Sequence, residues 1–184
     1  MAYSVIVPKS IMADDVSSLN RSVVCGSAIE NGNVFYVEVV SASSGYNEVY
    51  QAQQPDSGSL KGLWMANTPE IVNVTAADGT VYRGINQDPR NFVNASGSII
   101  DAFKPMVGDI ILASADCFSG AYAAGSYFVV AQPHFFDLMW AATPAGDDVT
   151  YFKYVSTDYI SIGSGSQIGG DQRAVAYRIM CLNN

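Results

Sequence analysis

Residues 71–85, IVNVTAADGTVYRGI, decide the fold, because two short runs rich in Val, Ile and Thr flank a turn signal. These residue types favour strands, since a branched side chain packs well on a pleated surface. Asp78 and Gly79 supply the positive φ that a tight hairpin turn requires. The segment therefore predicts two antiparallel strands joined by a short turn.

Strand character continues along the rest of the chain. Apolar and polar residues alternate with a period of two in residues 33–41, 149–155 and 173–181, and residues 110–113 form a short apolar run. In the last alternating run, four residues fall on one face of the predicted strand: Val175, Tyr177, Ile179 and Cys181.

Helical signals are weak by comparison. Residues 99–103 are compatible with a single helical turn, and residues 135–142 with either a short helix or a strand. Gly, Asp and Pro bound the predicted strands at intervals of roughly ten residues, which is typical of barrels and sandwiches. The expected fold class is all-β, a single β-barrel or β-sandwich domain with little helix.

The segment from residue 8 to residue 22 departs from this pattern of strands. It is polar and follows neither the two-residue period of a strand nor the 3.6-residue period of a helix. We interpret residues 1–20 as an extended N-terminal arm that precedes a β-rich domain spanning residues 21–184. Two other irregular stretches, residues 86–98 and 163–172, are predicted as functional or flexible loops.

Composition limits the classes of partner. In 184 residues, 9 Lys and Arg stand against 17 Asp and Glu, and the formal charge of −8 disfavours binding to nucleic-acid backbones. Charged residues make up 14%, against roughly 25% in ordinary soluble domains, so much of the surface must be neutral or apolar. No secretory signal or membrane-spanning run is visible, which predicts synthesis in the cytoplasm and no membrane partner.

Chemical motifs are weak throughout. His134 is the one histidine, and no serine lies in a Gly-x-Ser-x-Gly elbow, so a catalytic triad is not predicted. The three cysteines lack metal-ligand spacing and are expected to be buried free thiols: Cys25, Cys117 and Cys181. Residues 163–170 lack the full phosphate-loop pattern. No catalytic residue, metal ligand or cofactor is predicted, although a calcium ion among the turn aspartates stays open.

Four strings together resemble the auxiliary capsid proteins of tailed phages, which are also called head decoration or cement proteins. The strings are residues 18–24 (SLNRSVV), 62–66 (GLWMA), 88–94 (DPRNFVN) and 103–109 (FKPMVGD). The resemblance implies a virion protein that binds the outer surface of an assembled head and reinforces contacts between major capsid subunits. It implies no catalytic residues and no cofactor.

On this interpretation the partner is the major capsid protein, with self-association as a trimer left open, and the location is the capsid surface. The arm is expected to become ordered along capsid subunits, so that its deletion (residues 2–18) removes capsid binding and leaves the fold intact. The expected contact residues lie in the arm and in two aromatic strings: Ile6, Pro8, Ile11, Leu19, Trp64, Met65 and Phe92.

Two alternative functions remain open. The first is a host-recognition or carbohydrate-binding domain at a fibre tip, with its site formed by the loops at residues 86–98 and 163–172. The second is a small hydrolase in which Cys117 or Cys25 acts with His134.

Overall fold

The computed structural model describes residues 3–40, 48–75, 78–85, 88–120, 122, 125–162 and 172–184, and it confirms the all-β class. Four single-turn 3₁₀ helices lie in these residues, at Met12–Asp14, Ser17–Leu19, Pro89–Asn91 and Ala115–Cys117. The strands are β1 (Ile6–Ser10), β2 (Asn20–Val24), β3 (Val34–Val40), β4 (Val49–Gln53), β5 (Trp64–Ala66), β6 (Ile71–Thr75), β7 (Val81–Ile85), β8 (Ile99–Phe103), β9 (Ile110–Ser114), β10 (Phe118–Ser119), β11 (Phe128–Ala131), β12 (Leu138–Ala141), β13 (Tyr151–Ile162) and β14 (Gln172–Asn183).

The larger unit is a seven-stranded sheet with the order β1-β9-β14-β13-β11-β12-β10. Neighbouring strands are antiparallel except for β10 and β12, which are parallel. Its longest elements are β13 and β14, with 12 residues each, and they form one hairpin along their full length. β14 pairs with β9 only at residues 176–180, and β13 pairs with β11 only at residues 151–153. The distal part of the hairpin therefore extends past these neighbours.

The second unit is a closed five-stranded barrel with the order β2-β4-β3-β5-β8. β2 and β4 run parallel, and the other neighbours are antiparallel. Alternate residues of each strand point inward, as a period of two requires. They fill the barrel with a core that includes Val23, Phe35, Ala52, Ala66 and Ile100.

A shared core joins the two units. The inner face of the seven-stranded sheet contributes Ile111 and Phe152, and the outer side of the barrel contributes Val34, Met65 and Phe103 to the same buried cluster. Each of these five side chains has at most 2% of its surface exposed. Removing this much apolar surface from water gives a large favourable contribution to folding, so sheet and barrel stabilise each other.

The hairpin predicted from residues 71–85 is confirmed. β6 and β7 are antiparallel, with Ile71 opposite Ile85 and Thr75 opposite Val81. Gly79 has a φ of 84°, which is the left-handed conformation that the turn was expected to need. Residues 76 and 77 of the turn lie outside the described residues.

The structure places strands in both segments that were compatible with helix. Residues 99–103 form β8 and no helical turn, because Ile100 and Ala102 pack inside the barrel. Within residues 135–142, the strand alternative holds for β12. A strand places Leu138 and Trp140 on one face, where both join the shared core.

The N-terminal segment also differs from the prediction of a free arm. β1 pairs with β9 at the edge of the seven-stranded sheet, and β2 already begins at Asn20. Ile6, Ile11 and Ala13 are buried in the shared core. The polar pattern hid this strand because β1 is an edge strand with Pro8 beside a bulge, and an edge tolerates a residue without an N–H donor.

Candidate functional site

A cluster of five aromatic side chains lies where the shared core reaches the surface of the seven-stranded sheet. We call this cluster, together with its exposed continuation described below, the aromatic face. Its rings belong to Phe118, Tyr122, Trp140, Tyr154 and Tyr177. They lie on β10, β12, β13, β14 and the segment after β10, so distant parts of the chain meet here.

The rings contact one another in the geometries that aromatic pairs prefer. Tyr177 stacks on Tyr122 with ring centroids 5.6 Å apart and meets Trp140 edge to face at 4.9 Å. Tyr122 meets Trp140 edge to face at 4.9 Å as well. Such pairs each contribute about 0.5–1.5 kcal/mol beyond the burial of their area. The rings are therefore held against one another by their own contacts.

Two exposed residues extend the aromatic face along the β13–β14 hairpin. Tyr159 lies opposite Val175 in the hairpin. This pair is two residues along each strand from the pair formed by Thr157 and Tyr177, so it lies on the same face. Tyr159 is 53% exposed and Val175 43% exposed. On the same strand as Tyr159, the Tyr154 and Thr157 hydroxyls lie 2.9 Å apart and share a hydrogen bond. The surface thus combines apolar area with hydroxyl groups.

Burial changes the acid–base behaviour of the central tyrosine. Desolvation raises the pKa of Tyr177 above its ordinary value, and the neighbouring Tyr122 and Tyr154 raise it further when they ionise. The Tyr177 hydroxyl therefore stays protonated and neutral at every physiological pH. The face presents no charge of its own to a partner.

The expected contact residues fall into two groups. Ile6, Ile11 and Met65 are 4%, 8% and 1% exposed, so their prediction as surface contacts is corrected: they are core residues. Pro8, Leu19, Trp64 and Phe92 are half-buried. The structure does not gather these seven residues into one surface, because they lie on β1, the first 3₁₀ turns, β5 and the loop before β8.

Trp64 has a distinct environment at one end of the barrel. The Arg21 guanidinium carbon lies 5.4 Å from the centre of the Trp64 ring and 5.1 Å from that of Tyr50. Both aromatic residues pack against the barrel core. A cation near aromatic faces is attracted by their quadrupoles, so Arg21 is held in place as a cap on the barrel.

Phe92 lines a groove of about 620 Å³ between the barrel and the β6–β7 hairpin. Ile71 and Ile99 line the same groove and are 40% and 48% exposed. The predicted loop over residues 86–98 is described from residue 88 onward and begins with a short 3₁₀ turn. Asp88 stabilises this turn by accepting hydrogen bonds from Arg90. The predicted loop at residues 163–172 lies outside the described residues up to residue 171.

The residues of the hydrolase alternative do not form a catalytic group in the described structure. Burial raises the pKa of Cys117 to about 12, and its thiol shares hydrogen bonds with Ser114 and the Val5 carbonyl. Cys25 is buried beside Ser27. His134 is exposed in a turn with a φ of 65°. A buried neutral thiol is a poor nucleophile, because the thiolate is the reactive form.

Among the described residues, no group of three or more His, Cys, Asp or Glu side chains is placed to hold a metal ion. Within the same residues, no helix has the length and apolar character that crossing a membrane requires.

Sequence reasoning missed the aromatic face, although part of its signal was visible. The predicted strand face with Val175, Tyr177, Ile179 and Cys181 is confirmed, since Ile179 and Cys181 lie in the shared core and Tyr177 packs against it. What the pattern could not show is that Tyr122 and Trp140 meet Tyr177. Those contacts depend on strand order, which residue spacing does not encode.

The fold and this site together define an all-β protein with a preformed, uncharged aromatic surface. Comparison with protein-family models, with curated proteins and with solved structures found no match to the chain.

Proposed function

We propose that this chain is a virion structural protein without enzymatic activity. In this role it binds the outside of an assembled phage head and reinforces contacts between major capsid subunits. The observation that supports the proposal best is the aromatic face, because Tyr and Trp are enriched at protein interfaces and at their energetic centres. The resemblance of the four sequence strings to auxiliary capsid proteins supplies the identity of the partner.

The chemistry of the face suits a protein partner. The rings of Tyr122, Trp140 and Tyr177 are already packed, so binding costs little side-chain entropy. Exposed Tyr159 and Val175 offer apolar area, and the tyrosine hydroxyls can bond to a partner's backbone. A ligand that binds only the assembled shell stabilises it by mass action, which is the thermodynamic basis of reinforcement.

The proposal is tested by cosedimentation with purified heads that lack this protein, from the phage that encodes the chain. We expect the wild type to saturate heads, and Tyr159→Thr combined with Val175→Thr to bind at least about tenfold more weakly. Thr keeps the β-branched shape that strands favour, so the fold should survive. Saturation of heads by the double variant at wild-type concentrations would contradict the proposed contact.

A matched control separates the aromatic face from general surface apolarity. Phe135 and Val107 are 55% and 64% exposed and lie in the turns before β12 and β9, outside the aromatic face. Phe135→Thr combined with Val107→Thr likewise removes one exposed aromatic ring and one valine methyl group. This variant should bind heads as the wild type does.

The second candidate, host recognition through carbohydrate, is favoured by a different surface. Clefts beside Arg21, at the end of the barrel that Arg21 caps, are lined by polar side chains and by Tyr50. These clefts share no lining residue with the aromatic face, so the two activities are separable by mutation.

A further inference from the structure

Two clefts adjoin each other at the start of β2 and share lining residues there. The larger has a volume of about 620 Å³ and the smaller about 380 Å³. Asn20, Arg21 and Ser22 line both. Volumes of this order are those of small-ligand sites, and two adjoining clefts can seat adjacent units of one extended ligand.

Arg21 lines both clefts and, among the residues that the structure describes, is their one cationic lining residue. Its guanidinium has five N–H donors, and one of its terminal nitrogens donates to the neighbouring Asn20 carbonyl, at 3.0 Å. The ion pairs found among the described residues are Arg90 with Asp88 and Arg178 with Asp158, and neither includes Arg21. Because Tyr50 and Trp64 hold the guanidinium, its donors are preorganised for a ligand that accepts.

Acceptors stand beside these donors. Glu48 lines the larger cleft and Asp101 the smaller, and both side chains are exposed. An ionised carboxylate only accepts hydrogen bonds, whereas a guanidinium only donates them. The best ligand therefore carries donors and acceptors close together. Of the described residues, one cation and two carboxylates line the clefts, on a chain of net charge −8, so an anion is disfavoured.

The larger cleft also has an apolar wall. Tyr50 is half-buried there, and Ile99 is 48% exposed. An extended peptide could not add to this surface as a further strand, because β2 already pairs with β4 and β8 in a closed barrel. Neutral hydroxyl-rich ligands with C–H faces match the combination of a donor, an acceptor and an apolar wall.

We propose that the two clefts beside Arg21 form a binding site for a neutral saccharide of two or three sugar units. Arg21 and Ser22 donate or share hydrogen bonds with ring and hydroxyl oxygens, and Glu48 and Asp101 accept from hydroxyl groups. Tyr50 and Ile99 contact the C–H face of one sugar. This binding activity is additional to capsid binding through the aromatic face.

The test is a titration of the uniformly ¹⁵N-labelled full chain, followed by heteronuclear NMR. The probes are neutral di- and trisaccharides built from glucose, galactose, mannose, rhamnose and N-acetylglucosamine, with inorganic phosphate and a blocked Gly-Ser peptide as comparators. At least one saccharide should give saturable shifts at the Trp64 indole N–H and at the amides of Asn20, Arg21, Ser22 and Tyr50. No shift with any saccharide, or shifts at these positions with phosphate or peptide only, would overturn the proposal.

Variants then test the role of the guanidinium. Arg21→Lys keeps the positive charge but loses the planar set of N–H donors of the guanidinium. The dissociation constant of that saccharide should therefore rise about tenfold. Arg173→Lys, the same change at an exposed arginine outside the clefts, should leave it unchanged. Equal affinity in Arg21→Lys and wild type would also refute the assignment.

Two checks keep the outcomes distinct. The chemical-shift mapping uses the wild type, so its result does not depend on whether a variant folds. The amide spectrum of Arg21→Lys shows directly whether the barrel of that variant is intact. The double variant Tyr159→Thr/Val175→Thr should retain saccharide binding, since neither residue lines the clefts. A failure of capsid binding would therefore not contradict the saccharide site. A failure of saccharide binding would likewise not contradict capsid binding through the aromatic face.

Discussion

Gly32 shows how closely the N-terminal segment is built into the molecule. It has a φ of 90°, and a Cβ placed there would lie 2.7 Å from Ile6 Cγ2 and 3.0 Å from Cys117 Sγ. Its N–H donates to the Ala66 carbonyl at 2.9 Å. β1, the barrel and the Ala115–Cys117 turn therefore approach one another at a point where no side chain fits.

We expect Gly32→Ala to lower the free energy of unfolding by about 3 kcal/mol. About 1 kcal/mol comes from the left-handed backbone and about 2 kcal/mol from overpacking against Ile6 and Cys117. Gly108→Ala is the control, because Gly108 has a φ of 98° and nothing within 4 Å of its Cβ position. Denaturant unfolding of both variants measures the difference, and equal losses would show that the close approach costs nothing.

The buried thiols give a second prediction at the scale of single residues. Desolvation raises the pKa of Cys117 and of Cys181 from 9.0 to about 12, so each thiol stays neutral in the folded state. Below about pH 9 the folded and unfolded states bind these protons equally, and above it the unfolded state releases them first. The contribution of these two neutral thiols to the free energy of unfolding is therefore fully present below about pH 9 and declines as the pH rises toward 12.

Two measurements check the thiols. Ellman's reagent at about pH 8 should label none of the three cysteines in the native protein and all three after unfolding, since the thiolate reacts and needs access. Between about pH 9 and pH 11, Cys117→Ala should lose stability less steeply than the wild type. Rapid labelling of Cys117 in the folded protein would contradict its burial.

At the scale of elements, sequence reasoning succeeded where the local signal was complete. The β6–β7 hairpin carries its own turn chemistry, and the alternation of residues 173–181 correctly indicated the face that carries Tyr177. It failed where a partner strand decides the structure. Residues 99–103 have no strong period, yet they complete the barrel between β2 and β5 as β8.

The same reasoning explains the candidate site. Trp64 and Met65 were expected to form one apolar contact, but adjacent strand residues point to opposite sides. Trp64 packs at the end of the barrel, and Met65 enters the shared core. The buried thiols could be foreseen from their apolar neighbours, whereas the aromatic face required knowledge of which strands are adjacent.

The burial of Ile6 leads us to predict that the first residues are required for folding, contrary to the expectation for an extended arm. Ile6→Ala should destabilise the protein by about 2–4 kcal/mol, because Ile6 is 4% exposed in the shared core. Lys9→Ala on the same strand is the control, since Lys9 is exposed and should change stability by less than about 0.5 kcal/mol. Circular dichroism during thermal unfolding measures both.

Deletion of residues 2–18 extends this test from one side chain to the element. It removes β1, Ile11 and Ala13 together, so we expect loss of cooperative unfolding rather than an intact fold without capsid binding. A folded deletion variant with the melting temperature of the wild type would show that β1 contributes nothing to the core.

At the scale of the whole molecule, the shared core couples the barrel to the seven-stranded sheet. Asn184 adds a polar link, because its side-chain oxygen accepts from the Leu63 N–H and the Thr150 hydroxyl, and its nitrogen donates to the Leu63 and Pro105 carbonyls. These groups flank strands of both units. Neither unit could open without exposing apolar surface and unpairing polar groups of the other.

This coupling predicts a single unfolding transition, and the two tryptophans report on it separately. Trp64 lies on β5 of the barrel and Trp140 on β12 of the sheet. In Trp64→Phe the fluorescence follows the sheet, and in Trp140→Phe it follows the barrel. Within each variant, the midpoint from fluorescence should coincide with the midpoint from far-ultraviolet circular dichroism, because a two-state transition gives every probe the same midpoint. Each substitution shifts the absolute midpoint, so the comparison is made within a variant. If the barrel probe and the sheet probe departed from their dichroism midpoints in opposite directions, the shared core would not couple the two units.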